Sequence, residues 1–187
     1  MNILLAFSPF LVFVVLQRLI GVEPGLLGAL TMSLLLLARD AVIRRKLPKV
    51  LEIGTALLFG GVALYLGVAG AAWSIAGVRL AVDAGLLLIV LVSMAIGQPF
   101  TLQYAREGVP QVLWHQAEFV RVNIVITAVW AAAFAALAAI DLVWLLIPAL
   151  PPRVAIIATV LALLGAVKFT GWYPERERAV SAHPTNA

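Results

Sequence analysis

Six runs of apolar residues decide what this chain can fold into, because a helix of about 20 residues rises about 30 Å, the thickness of a bilayer's hydrocarbon core. The runs cover 3–20, 26–40, 51–71, 78–97, 123–146 and 153–171. Each is continuous and lacks the strict alternation of a barrel strand, so helices are expected. Composition agrees. Of 187 residues, 64% are hydrophobic and only 12% charged, with a mean hydropathy of +1.09. A soluble domain is about 45–50% apolar and about 25% charged, so this chain cannot cover itself with polar side chains in water. The expected fold is all-α: a polytopic transmembrane bundle of about six spans over 1–173, followed by a flexible polar tail at 174–187.

The boundaries between runs are legible. Gly21-Val22-Glu23-Pro24-Gly25 predicts a tight hairpin after the first run, since proline and paired glycines disfavour helix. Gln98-Pro99 closes the fourth, and Pro148, Pro151 and Pro152 break the fifth from the sixth. The first run has no Lys or Arg before it and no small-residue cleavage site after it, so it is expected to be a retained span rather than a signal peptide.

Charge placement supplies orientation. Arg39, Arg44, Arg45, Lys46, Lys49, Arg106, Arg121, Lys168, Arg176 and Arg178 all fall on one side of a six-span arrangement, which is ten of the thirteen basic residues. Only Arg18, Arg79 and Arg153 fall on the other. By the positive-inside rule both termini face the cytoplasm. Trp73, Trp144 and Trp172 lie near expected interfaces, whereas Trp130 is expected inside a helix.

Candidate functional residues fall into three groups. The basic loop Arg44-Arg45-Lys46-Leu47-Pro48-Lys49 either binds anionic lipid headgroups or only fixes topology. The segment 100–120 is too long for a hairpin and too polar for a span. Its mixture of Trp114 and other apolar residues with Arg106, Glu107 and Glu118, next to Arg121, suits an interfacial cytoplasmic stretch split at Gly108-Val109-Pro110. This stretch is a candidate surface for partners or lipid. The third group comprises ionisable and polar residues within spans: Asp83, paired with Arg79 at i, i+4, Asp141 and Asn123. An ionisable group at such depth is a functional hypothesis by default, against the alternative of simple pairing or reach to the interface.

Several chemistries are not expected. Cysteine is absent, which removes disulfides, thiolate catalysis and thiolate metal sites. His115 and Glu118 are only two ligands, too few for a metal. No Walker loop, nucleophile elbow or dinucleotide fingerprint is present. No catalytic residue, cofactor, metal or nucleic-acid partner is therefore expected. Span five carries Ala128, Ala132 and Ala136 with Ala131, Ala135 and Ala139 beside them, and span three carries Gly54, Gly60, Gly61 and Gly67. Both patterns predict close helix packing within the chain, whereas Gly21 and Gly25 are assigned to the turn.

The ordered set Phe7-Ser8-Pro9-Phe10, Leu57-Leu58-Phe59-Gly60-Gly61, Gly97-Gln98-Pro99, Val109-Pro110, Trp114, Arg121-Val122-Asn123, Trp130 and Phe134 resembles the bacterial septation protein A family, also called inner membrane protein YciB. The likeness covers roughly residues 5–140. It implies a non-enzymatic, multi-pass protein of the bacterial inner membrane that supports envelope synthesis or division through contacts with other membrane proteins. It implies no catalytic residues. The alternative is a small transporter or lipid-handling protein using Asp83 and Asp141. A polar cavity reaching either aspartate separates the two expectations.

Overall fold

In the computed structural model, residues 3–45, 47–70, 73–147, 149 and 151–182 are described. Among the described residues 86% are helical and none lies in a strand. The described residues form eight α-helices: α1 (Ile3–Ala6), α2 (Ser8–Leu19), α3 (Val22–Ala38), α4 (Val50–Ala69), α5 (Ile75–Ala95), α6 (Phe100–Ala105), α7 (Ala117–Leu146) and α8 (Pro152–Ala182).

Their ends follow local chemistry. Gly21 takes φ +119°, a conformation that side chains rarely adopt, and it turns α2 into α3. Pro24 does not delay α3, which begins at Val22 rather than at 26. In the first turn the missing proline N–H had no partner to lose. Gly25 is therefore helical, and a Cβ there would lie 3.0 Å from the Gln17 backbone nitrogen, so α2 and α3 approach backbone to backbone. Gly70 closes α4 in the left-handed conformation at φ +57°. Ser74 opens α5 by accepting the Gly77 N–H at 3.1 Å. At the far end of α3 the chain widens into a π turn over Arg39–Ile43, with the Arg44 N–H bonded to the Arg39 carbonyl five residues back at 3.1 Å.

Among the described residues, five stretches are long and apolar enough to cross a membrane: Val22–Ile43, Val50–Ala69, Ile75–Ala95, Ala117–Leu146 and Arg153–Glu177. The first run differs from expectation. Phe7 interrupts it, and Ser8-Pro9 restart a helix of 12 residues, which rises only about 18 Å. Pro9 has no N–H for the preceding turn, and the Ser8 hydroxyl donates to the Leu5 carbonyl at 2.8 Å.

The last element also differs. Instead of a polar tail from 174, α8 continues through Pro174 to Ala182; 183–187 lie outside the described residues. Glu175, Arg176 and Glu177 are good helix formers, and an Arg121–Glu177 contact of 2.6 Å ties this extension to α7. The helix α7 is longer than expected too, with 30 residues and about 45 Å of rise.

The core is aromatic. Phe7, at the break between α1 and α2, stacks on Trp130 with centroids 4.5 Å apart, and Phe100 and Phe134 close around them at 5.8 to 6.4 Å. Trp130 donates its indole N–H to the Thr170 hydroxyl at 3.0 Å, joining α7 to α8. The face of α7 that packs inward thus carries Ile126, Trp130, Phe134 and Leu137. Ala128, Ala132, Ala135, Ala136 and Ala139 are exposed, and only Ala131 and Ala133 are buried. The alanine stripe does not mediate packing within the chain, because the aromatic face of the same helix removes far more apolar area from solvent. In α4, Gly54 sits against Ile89 of α5 and Gly60 against Leu30 of α3, while Gly61 and Gly67 face open space. The outward surface is itself apolar, with Leu57, Leu64, Val68 and Leu161 all more than 60% exposed.

Candidate functional site

Two polar clusters occupy opposite ends of the helices. The first forms where α3, α4 and α6 meet. The Lys49 ammonium lies 2.7 Å from Asp40, 3.1 Å from Glu107 and 3.4 Å from Glu52, and only 6% of the residue is exposed. Asp40 also pairs with Arg39 at 2.9 Å, and Arg44 reaches Glu107 at 3.5 Å. The Tyr104 hydroxyl donates to Glu52 at 3.4 Å, and its ring lies 4.9 Å below Lys49. Three carboxylates thus meet three cations, an arrangement able to remain buried because every charge has an opposite neighbour.

Local chemistry places these groups. The π turn sets the direction of Asp40 (fully buried) from the end of α3. Glu52 lies in the first turn of α4, accepting the Lys49 backbone N–H at 3.4 Å in a capping-box pattern. Gln103 of α6 accepts the Val50 N–H at 3.0 Å and docks α6 against that same turn. Burial opposes the Lys49 charge, yet its bond to Asp40, the Glu52 charge and its bond to Glu107 hold its pKa above the ordinary lysine value. Burial together with the neighbouring Glu52 pushes the Tyr104 phenol up. This cluster is charge-balanced by its own partners, and it holds segments together.

The second cluster lies toward the end where α2 turns into α3 and α4 into α5. Asp83 of α5 and Asp141 of α7 are 2% and 0% exposed. Arg79, one helical turn before Asp83, makes its ion pair across the interface with Asp141 at 3.3 Å. It also donates to the Thr159 hydroxyl of α8 at 3.4 Å and lies over the Trp144 ring at 5.8 Å. Two buried carboxyl groups therefore meet one guanidinium. Besides the two Asp141 carboxyl oxygens, the Asp83 Oδ1 atom and the Gln17 Oε1 atom are buried without a hydrogen-bond partner. Both residues line a cavity of about 120 Å³ between α2, α5 and α8. Phe10, Phe13 and Val14 of α2 and Ile156 and Val160 of α8 supply its apolar wall, and Arg79 and Thr159 also border it. A buried acceptor left unbonded costs free energy on the order of 1–3 kcal/mol, a cost that a hydrogen-bond donor reaching these atoms would relieve.

The structure distributes the sequence candidates as follows. Asp83 and Asp141 converge on one site, but Arg79 chooses Asp141 and not its i+4 neighbour for an ion pair. Asn123 belongs to neither cluster: its amide donates to the Phe119 carbonyl at 2.8 Å, and its own carbonyl accepts from Thr101 and Thr127, each at 2.8 Å. Lys49 is buried rather than offered to headgroups, Arg44 is engaged by Asp40 and Glu107, Arg45 is exposed, and Lys46 lies outside the described residues. Arg106 lies 5.7 Å from the Trp114 ring, whose indole N–H donates to the Arg106 carbonyl at 3.1 Å and the Val109 carbonyl at 3.2 Å. Arg121 is largely exposed and pairs with Glu177. The segment 100–120 divides at Val109-Pro110 into short helical pieces, but Phe100, Leu102 and Tyr104 of α6 insert into the core instead of resting on an interface.

Sequence reasoning missed Asp40 and Glu52, and took Glu107 and Tyr104, in the segment 100–120, for interfacial residues. The spacing Lys49-x-x-Glu52, an acid three residues after a helix start, was a usable signal for one of them. Thr159 carried no signal at all. His115 sits in an exposed turn, and no group of three metal-ligating side chains occurs among the described residues. Comparison with protein-family models, with curated proteins and with solved structures finds no match to this chain.

Proposed function

We propose that this protein is a small multi-pass carrier of the bacterial inner membrane, and that it moves a small cation linked to protons through the site at Asp83. The observation that supports this reading is the cavity of about 120 Å³ bordered by Asp83, a residue 2% exposed whose Oδ1 has no partner. A carboxyl group set among apolar helices costs several kcal/mol unless it has a use or a partner. Here Arg79, one helical turn before Asp83, is engaged with Asp141. In this arrangement α1 and α2 together count as a sixth, interrupted crossing, and both termini lie in the cytoplasm with the Lys49 cluster. The Arg79–Asp141 pair is then the counter-charge that Asp83 works against, and the charge-balanced cluster at Lys49 seals the opposite end.

The test is flux. In liposomes holding a pH-sensitive dye, an imposed potassium potential drives proton uptake above that of empty vesicles, and Asp83→Asn lowers it at least tenfold while leaving helical content unchanged. Uptake equal to that of empty vesicles refutes the carrier reading.

A second reading, an envelope or division scaffold of septation protein A type, is favoured by the 81% exposure of the apolar Val112 in the segment between α6 and α7. Mild-detergent co-purification tests it, with Val112→Glu expected to release any envelope protein recovered. Recovery of none removes this reading.

A further inference from the structure

The ligand class follows from what the cavity lacks. Asp83 Oδ1 and Gln17 Oε1 are both acceptors, both buried and both unbonded, and their residues border the same space. A molecule that satisfies them must donate hydrogen bonds. Arg79 does not do so from within: it is held by Asp141 and the Thr159 hydroxyl. Asp83 and Asp141 set two carboxyl groups against one guanidinium, and an ionised Asp83 would pair with a donor that carries positive charge.

The rest of the wall is apolar. Phe10, Phe13 and Ile156 face the same space, and aromatic faces attract cations as well as hydrocarbon. An apolar cavity of about 150 Å³ accommodates benzene. A cavity of about 120 Å³ therefore takes a molecule of about five non-hydrogen atoms. Charge, donors and a short apolar body together describe one chemical class.

We propose that the cavity between α2, α5 and α8 binds a short primary alkylammonium ion, its N–H groups on Asp83 and Gln17 and its chain against Phe10, Phe13 and Ile156. The ammonium supplies three donors, enough for one to each of Asp83 and Gln17. This rests on the carrier reading for its purpose, but binding itself is measured independently of transport.

The experiment is titration calorimetry on the full chain in mild detergent, with micelle blanks subtracted. The probes are butylammonium chloride, tetramethylammonium chloride and 1-butanol. Tetramethylammonium keeps the charge and lacks N–H; butanol keeps the chain and lacks the charge. Butylammonium is expected to bind saturably, and the other two at least about tenfold more weakly, the scale of a charge-assisted hydrogen bond. Asp83→Asn should weaken butylammonium by a similar factor and Gln17→Leu by a smaller one. The comparison of three probes on the unaltered protein stands even where a variant misfolds. Equal binding of all three, or no saturable heat from butylammonium on folded protein, overturns the assignment. Butylammonium binding without proton flux refutes the carrier reading alone, and flux without binding refutes the alkylammonium class alone.

Discussion

Replacing Lys49 with methionine isolates the charge of the cluster at the α3–α4 junction while keeping most of the aliphatic stem that packs there. The ammonium touches three carboxylates, but they do not depend on it equally. Asp40 keeps Arg39 at 2.9 Å and Glu107 keeps Arg44 at 3.5 Å. Glu52, 1% exposed, keeps the Tyr104 hydroxyl and the residue-49 backbone N–H, each at 3.4 Å, but no cation. One buried carboxylate is thus left without its cation, a loss worth about 3–5 kcal/mol. Adding Glu52→Gln removes the orphaned charge, so the double variant should be more stable than the sum of the two single losses by about 1–3 kcal/mol. Unfolding in mixed detergent micelles, followed by far-ultraviolet circular dichroism, measures all four corners of the cycle. A Lys49→Met loss under about 1 kcal/mol, the range of a solvent-exposed pair, would refute the claim that the cluster is buried and mutually dependent. Simple additivity with Glu52→Gln would refute the assignment of Glu52 as the dependent partner.

Alkaline pH should loosen the same junction. The raised Lys49 pKa means its stabilisation is complete below the ordinary lysine value of 10.5 and is lost as pH climbs through the higher folded value. Tyr104 acts in the same direction, because above its ordinary value of 10.0 the unfolded phenol releases a proton that the folded one retains; a Tyr104→Phe melting curve should therefore fall less steeply above about pH 10. Gly54→Leu should destabilise by about 1–3 kcal/mol through collision with Ile89, where a Cβ alone would already lie 2.7 Å away. Gly61→Ala meets nothing within 4 Å and should be neutral or stabilise by up to about 1 kcal/mol; a loss there would mean the outer face of α4 is covered. Arg121→Ala should cost less than about 1 kcal/mol, since Arg121 is 63% exposed, and a larger loss in thermal melts would show that the α8 extension depends on this contact.

Legibility in the sequence tracked the range of the interaction. A helix limit set by neighbouring residues was readable where Gln98-Pro99 follows the end of α5, while the Ser74 cap that starts α5 at Ile75, ahead of the expected 78, went unread. Limits that depend on position within a turn were not readable, as Pro24 shows by sitting inside the first turn of α3. Asp83 and Asp141 were identifiable because a charge in an apolar run is conspicuous by itself. Their meeting was not, since it requires α5 and α7 to be adjacent. Arg79 illustrates the difficulty: a helical neighbour stood four residues away, and the preferred partner lay on another helix. The buried cluster at Lys49 was hidden for the same reason, its acids coming from the end of α3, the start of α4 and the segment after α6. The alanines of α7 misled because spacing shows that small residues share a face without showing what that face meets.

The π turn at Arg39–Ile43 has a consequence for how the chain tolerates change in length. Such a turn holds one residue more than the regular spiral would, so everything after it is rotated by about 100° relative to everything before it. Asp40 meets Lys49 across that offset. Excising a single residue such as Ala41 would let the spiral close normally and swing the following linker out of register, whereas trading Ala41 for another helix-compatible side chain would leave the phase intact. Length, more than chemical identity, is what this stretch protects.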